Sequence, residues 1–343
     1  MIDPMRHALE KLLEQQNLTA EETRATVLEI MNGQSSEPEI AAFLTALRIK
    51  GETVDEIAGA ARAMREKAAR IPTNVTGKLD TCGTGGSGLH TFNISTATAI
   101  VVAACGVPVV KHGNRGITSK SGSSDVLSDL SVNLNLNVDE VGECFNRIQL
   151  CFCFAPIFHA AMKHVAPVRK ALGFRTVFNL LGPLTNPAGA EFQLLGTARN
   201  ELARKLASAL QQLGTQSATV VCGNDELDEV SLWGETLACR VTPAGINEEI
   251  WTAESFGLPE CSVADLRIES SEESADLIER IFQNEERGAP RNMVLANAAA
   301  ALLTVGQVND LKAGVELAAK TIDSGQASEK LKQLVQTGWE IGD

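Results

Sequence analysis

The sequence is short of positive charge. Its 343 residues carry 30 Lys+Arg against 43 Asp+Glu, a formal net charge of −13. Such a field repels phosphate backbones and anionic headgroups, which disfavours non-specific nucleic-acid binding and attachment to membrane surfaces. A long apolar run is missing too. The stretch from Ala97 to Val110 is interrupted by Thr98, Gly106 and Pro108 and is too short to span a bilayer. The opening MIDPMRHALEKLLEQQ is charged throughout, without the apolar centre of a signal peptide, so a cytoplasmic protein is expected. No Cys-x-x-Cys occurs among the 8 cysteines. Cys82, Cys105, Cys144, Cys222, Cys239 and Cys261 stand alone, Cys151 and Cys153 form a Cys-x-Cys inside LCFCF, and no histidine has zinc-finger spacing. Buried free thiols are expected. The nucleotide-binding G-x-x-x-x-G-K-[ST] is also absent.

What is present divides by texture. Up to Arg70 the chain reads as helices. Thr19-x-x-Glu22, Ser36-x-x-Glu39 and Thr53-x-x-Glu56 each match a capping box ahead of an apolar periodic segment. Gly33 and Gly51 stand where a left-handed C-terminal cap favours glycine. Val27, Ile30 and Met31 form one helical stripe, and Phe43, Leu44 and Leu47 another. After Ile71-Pro-Thr-Asn, short β-rich runs (Leu79–Cys82, Val107–Val110, Ile148–Phe154, Ala218–Cys222) alternate with helical ones such as Thr96–Cys105 and Asn200–Leu213. That alternation predicts an α/β domain with a mostly parallel sheet flanked by helices, beside a separate small all-α domain. The stretch Asn292–Gln336 returns to helix. Functional loops are expected at the carboxyl ends of the strands.

KLDTCGTGGSGLHTFNIST, Lys78 to Thr96, is the most informative stretch. Gly83-Thr-Gly-Gly-Ser-Gly88 matches G-x-G-x-x-G after a predicted strand, but the dinucleotide reading needs an acid at the end of the next strand. That strand runs instead into Lys111-His-Gly-Asn-Arg115. A cation stands where the ribose carboxylate belongs, so the context points to another phosphate-rich ligand. Bare glycine backbone offers N–H groups to an anion. Thr91, Asn93, Ser95 and Thr96 add donors at a helix entrance, where the dipole favours negative charge. Lys111, Arg115 and Lys120 supply cations, with Ser119, Ser121, Ser123 and Ser124 interleaved. The competing reading is a solvated basic loop. A second element, Val221-Cys-Gly-Asn-Asp-Glu-Leu-Asp-Glu229, sets Asp225, Glu226, Asp228 and Glu229 after a predicted strand. Alone this is an ordinary acidic turn. Beside a polyphosphate cradle it suits Mg²⁺, which takes one or two carboxylates together with substrate phosphates.

In their order, C-G-T-G-G-x-G, F-N-I-S-T, K-H-G-N-R, S-K-S-G-S, V-R-x-x-L-G-x-R-T-V-F-N-L-L-G-P-L-T-N-P and L-D-E-V-S resemble the anthranilate phosphoribosyltransferase family. The resemblance spans practically the whole chain. It implies a small helical domain that mediates dimerisation (1–72, joined by part of 160–190), a large α/β domain (73–343), and an active site in the cleft. It also implies the reaction: the amine of anthranilate attacks C1 of 5-phosphoribosyl 1-diphosphate, in tryptophan biosynthesis, and diphosphate leaves.

Carried over by motif, Gly83, Gly86, Ser87, Thr91, Asn93, Ile94, Ser95, Thr96, Lys111, His112, Gly113, Asn114, Arg115, Gly116, Ile117, Thr118, Ser119 and Ser123 line the phosphoribosyl diphosphate site. Ser95, Asp228 and Glu229 match Mg²⁺ positions, and Gly83, Asn114 and Arg169 match anthranilate contacts. No residue is needed as acid or base, because an aromatic amine is essentially unprotonated at neutral pH. Lys111 and Arg115 would stabilise the departing oxygens. His112 is read as binding or packing, and His159 and His164 as lining the pocket. The chain departs from the family at Ser87, where Asp is usual, in Phe158-His-Ala-Ala-Met162, where His-Pro is common, and at Cys222 and Glu226, where His and Gly are usual. Two other readings share some of these features: a pyrimidine nucleoside phosphorylase-like enzyme, and a non-catalytic nucleic-acid-binding or regulatory relative. Net charge and the intact Asp228-Glu229 pair weigh against the second.

Overall fold

A computed structural model describes residues 3–116 and 122–342. Helix starts leave backbone N–H groups free, and the first four helices begin where side chains can take them. Asp3 caps α1 (Pro4–Leu13) by accepting from the Arg6 N–H at 3.0 Å. The three predicted boxes open α2 (Ala20–Met31), α3 (Glu37–Lys50) and α4 (Val54–Lys67). Glu22 takes the Thr19 N–H at 2.7 Å, Glu39 that of Ser36 at 2.7 Å, and Glu56 that of Thr53 at 2.8 Å. Gly51 ends α3 at φ 88°.

The sheet is built from β1 (Leu79–Gly83), β2 (Val109–Gly113), β3 (Leu150–Phe154), β4 (Phe192–Gly196), β5 (Ser217–Gly223), β6 (Thr236–Thr242) and β7 (Gly245–Trp251). Its order is β3-β2-β1-β4-β5-β6-β7. Pairing is parallel from β3 to β5 and antiparallel through β6 and β7. The expected mostly parallel sheet is therefore present, with strand boundaries moved most at β2 and β3. Ile148 ends a helix, because Gln149 turns left-handed at φ 55°. β2 runs on to Gly113, so Lys111 and His112 lie within the strand, not on a loop after it.

The helices that follow are α5 (Ile94–Ala104), α6 (Ser123–Asp129), α7 (Val138–Ile148), α8 (Ala155–Phe158), α9 (Ala166–Leu172), α10 (Phe178–Leu181), α11 (Asn200–Gln212), α12 (Ala253–Phe256) and α13 (Ser271–Phe282). The helical C-terminal stretch divides into α14 (Ala289–Thr304), α15 (Leu311–Asp323) and α16 (Gln326–Gly342). Gly306 and Gly325, at φ 76° and 79°, make the two breaks. Asp310 restarts the chain as the N-cap of α15, accepting from Ala313 at 2.8 Å.

Two apolar cores result. One packs α5, α7 and α14–α16 against the sheet through Val101, Phe145, Leu295 and Ile322. The other joins α1–α4 to α9–α11 and to the strands through Phe43, Leu47, Val168, Phe178, Leu206 and Val220. Burying such side chains drives each layer onto the next. Among the described residues no helix is long and apolar enough to cross a membrane. Because β2 and β3 lie to one side of β1 and β4 and β5 to the other, strand order reverses at β1. The loops leaving β1, β2 and β5 thus open on one crevice, the place where such sheets bind ligands.

Candidate active site

At the end of β1 the chain enters the glycine loop with Gly85, Gly86 and Gly88 at φ 65°, 92° and 70°, conformations open to glycine and few others. Beneath it the acidic turn after β5 comes very close. A Cβ built on Gly196 would fall 1.7 Å from the Asp228 carbonyl oxygen, and one on Gly83 would fall 2.9 Å from Asp228 Oδ2. Only glycine at both positions lets the carboxylate reach the loop. There the Ser87 side chain and the Gly85 backbone hold its carboxyl down against the desolvation that raises it.

Asn93 caps α5, its Oδ1 accepting from Thr96 N–H at 2.9 Å and from Ser95 Oγ at 3.2 Å. Lys111, buried in β2, donates from Nζ to the Thr81 carbonyl at 2.6 Å and to Ser95 Oγ at 3.0 Å. Burial pulls its ammonium pKa down, while the charges of Asp80, Cys82 and Glu229 oppose that shift. Asp80, fully buried behind it, accepts the His112 N–H at 3.1 Å. Asp228 and Glu229 keep some surface open to solvent, yet lie deep enough that desolvation raises both carboxyls. The charge of Asp228 raises Glu229 further, and Lys111 opposes it. Among the described residues no three His, Cys, Asp or Glu side chains gather at metal-binding spacing. The hard-oxygen set Ser95, Asp228 and Glu229 therefore fits Mg²⁺ only where substrate oxygens complete the shell.

His112 faces away from the loop. Its Nδ1 donates to the Gly182 carbonyl at 3.1 Å, leaving Nε2 to accept from His159 Nε2 at 3.2 Å. Burial first and the neighbouring imidazole second depress His112 to about 3, and burial depresses His159 to about 4. Burial thus keeps both imidazoles neutral at ordinary pH. His164, expected with His159 to line the pocket, has other neighbours. A Cβ on Gly33 would meet its Cε1 at 2.7 Å, so it packs on the C-terminal end of α2. The 3₁₀ turn Ala160–His164 sends the two histidines to different neighbours. Arg169 lies on α9 with Cζ 5.9 Å from the Phe178 ring centroid, its pKa lowered by burial.

After β2, Asn114 Oδ1 accepts from the Arg115 N–H at 2.8 Å, and Asp125 accepts from the Gly116 N–H at 2.9 Å. Ser123 Oγ donates to the Asn114 carbonyl at 3.4 Å. Ile117, Thr118, Ser119, Lys120 and Ser121 lie outside the described residues. The cysteines are all free, five of them buried and Cys82, Cys105 and Cys261 only partly so. A recess of about 620 Å³ near Arg240 and Lys312 opens at the other end of the sheet. Arg240 pairs there with Thr219 near the start of β5, and its guanidinium is already held by Glu249 at 3.2 Å.

Sequence reasoning missed Arg175 in this region. Its Nη2 donates to the Thr84 carbonyl at 3.3 Å. It stands inside a quoted motif, but nothing in the spacing of that motif says that it reaches the glycine loop.

The strand-order reversal brings together backbone donors, a buried lysine and paired carboxylates, an arrangement suited to transferring a group from a phosphorylated donor. Residues 76–328 match the glycosyl transferase family a/b domain, and residues 6–68 its helical bundle domain. An anthranilate phosphoribosyltransferase of Rhodopirellula baltica is 49% identical over 320 residues, covering 93% of each chain. The crystal structure of that enzyme from Thermus thermophilus superposes with a TM-score of 0.91 at 40% identity, over 96% of this chain and 99% of the other. The Saccharomyces cerevisiae enzyme in complex with PRPP and Mg gives 0.90 at 27% identity, over 98% of both. The chain belongs to the anthranilate phosphoribosyltransferase family.

Proposed function

We propose that this protein transfers the 5-phosphoribosyl group from 5-phosphoribosyl 1-diphosphate to the amine of anthranilate, releasing diphosphate, as a step of tryptophan biosynthesis. The observation that carries the reading is the convergence of Lys111, Ser95 and the Asp228-Glu229 pair at the strand ends beneath a bare glycine loop. Mg²⁺ held by Ser95, Asp228, Glu229 and substrate oxygens would neutralise charge on the departing diphosphate.

The chain's own residues do the rest. The N–H groups of the glycine loop, Gly83, Gly86 and Ser87 among them, receive phosphate oxygens, with Thr91 and the side chains and helix entrance of Asn93, Ile94, Ser95 and Thr96 beside them. Lys111 and Arg115 face the charge that develops as the C1–O bond breaks, and no proton must be removed from the acceptor before attack. His112 acts by fixing β2 against the Gly182 turn, not by touching a proton of the substrate. Arg169 offers the acceptor carboxylate a charged partner, with Gly83 and Asn114 lining the same end. The other residues after β2, Gly113, Gly116, Ile117 to Ser119 and Ser123, belong in this reading to the donor site.

We also infer a division near residue 72 and a homodimer formed through the helical part, in the cytoplasm. Exposed Leu13 and Ile49 at the ends of α1 and α3 support the dimer, being 77% and 73% accessible. Mixing the protein with anthranilate, phosphoribosyl diphosphate and Mg²⁺ should quench anthranilate fluorescence. Fluorescence that persists, with inorganic phosphate cleaving a pyrimidine nucleoside instead, would replace this reading by the phosphorylase one.

A further inference from the structure

Arg175 follows the left-handed cap Gly173 that ends α9, and it is exposed. Its guanidinium lies on the bare backbone of the glycine loop. A Cβ on Gly86 would fall 1.9 Å from Nη1 and 3.1 Å from Cζ. Its Nη2 also donates to the Thr84 carbonyl at 3.3 Å.

A guanidinium carries five donors in a planar fork matched to paired anionic oxygens. One long bond to a neutral carbonyl leaves most of that capacity unused. The same loop touches the acidic turn, a Cβ on Gly83 falling 2.9 Å from Asp228 Oδ2, so a cation and a carboxylate both lie against it. Lys111 is deeper, committed to Thr81 and Ser95. Arg175 is thus a cation on the outer side of the loop, beside one of the carboxylates proposed to hold metal.

We propose that Arg175 is a further diphosphate-binding residue, a latch that leaves Thr84 and closes on the oxygens of the leaving group when the donor enters. The inference rests on the proposed reaction. It also gives that reaction a mechanical link, because α9 carries Arg169 and ends three residues before Arg175. Engagement of the diphosphate would thereby fix the segment that presents the acceptor's arginine.

The test compares wild type, Arg175→Ala and Arg175→Lys, an exposed position where neither change disturbs a core. With Mg²⁺ present, Arg175→Ala should raise the KM for phosphoribosyl diphosphate by roughly tenfold, the scale of one lost charge-assisted hydrogen bond. The KM for anthranilate should stay within about twofold, and Arg175→Lys should recover part of the loss. Calorimetric titration with phosphoribosyl diphosphate, and with pyrophosphate, each in Mg²⁺, separates the two readings because no acceptor is needed. Weakened binding of both ligands in Arg175→Ala supports the latch even if anthranilate proves not to be the acceptor. Unchanged affinity for both in Arg175→Ala overturns it, even if wild type turns over as proposed.

Discussion

A single hydroxyl, Ser95 Oγ, takes a hydrogen bond from Lys111 and is proposed to take Mg²⁺ as well. Lys111 therefore stands where the metal's charge would be felt, and the two carboxylates beside it are raised by burial because no cation fully compensates them. Removing both charges, Asp228→Asn with Glu229→Gln, should preserve the fold, since the changes are nearly isosteric. Turnover should drop at least about a hundredfold, the scale of one lost electrostatic stabiliser, and near-normal turnover would sink the metal assignment. Ser87 is tested by adding charge. In Ser87→Asp a second carboxylate would adjoin Asp228, so the Mg²⁺ concentration for half-maximal activity should fall; superimposable Mg²⁺ curves would remove Ser87 from the site. Arg169→Ala should lower kcat/KM for anthranilate by about 2–4 kcal/mol and disturb the KM for phosphoribosyl diphosphate much less. Equal losses on both substrates would make Arg169 a structural residue.

Elements show where local chemistry decides the fold and where it does not. Glu56 serves the capping box of α4 and is fully buried, also accepting from Lys50 Nζ at 2.9 Å and from the Leu18 N–H at 2.9 Å. Thr53→Ala removes one cap and should cost about 1 kcal/mol in urea unfolding. Glu56→Ala leaves the Lys50 ammonium only the neutral oxygens of Asn17 and Gly51 and should cost about 3–5 kcal/mol. Equal losses would show that the ion pair contributes nothing beyond the cap. Boxes of this kind were legible because donor and acceptor lie three residues apart. β1, β2, β3 and β5 were legible from apolar runs. β4, β6 and β7 were not: β7, GINEEIW, is an edge strand with Asn247, Glu248 and Glu249 exposed or half-exposed, so its alternation carries little hydrophobic signal. The glycine turn after β1 was legible in its glycines. Arg175 and the true neighbour of His164 were not, because both contacts join residues distant in sequence, Gly86 with Arg175 and Gly33 with His164.

Across the whole molecule, the His112 and His159 pair ties three parts together: β2, the turn after α8, and the Gly182 carbonyl. It also makes stability depend on pH. In the folded protein the imidazoles stay neutral down to about 3 and about 4, whereas unfolded histidine takes a proton near 6.5. A base with a depressed folded pKa contributes fully above the unfolded value, and its contribution is lost as pH falls from there towards the folded one. Between pH 7.5 and 5.0 each histidine should therefore remove about 2 kcal/mol from the unfolding free energy. Glu22, held down to about 2 against burial by Lys11 and its other partners, acts only at lower pH. The raised carboxyls of Asp228 and Glu229 work in the opposite direction, but they are shared by wild type and a histidine variant and cancel in the comparison. His159→Gln removes one imidazole and relieves its neighbour of the second cause of its depression. Urea unfolding at the two pH values should show the acid loss of wild type cut by about half or more in His159→Gln. If both proteins lose the same stability on acidification, the buried pair titrates like exposed histidine and does not hold these elements together through its neutrality.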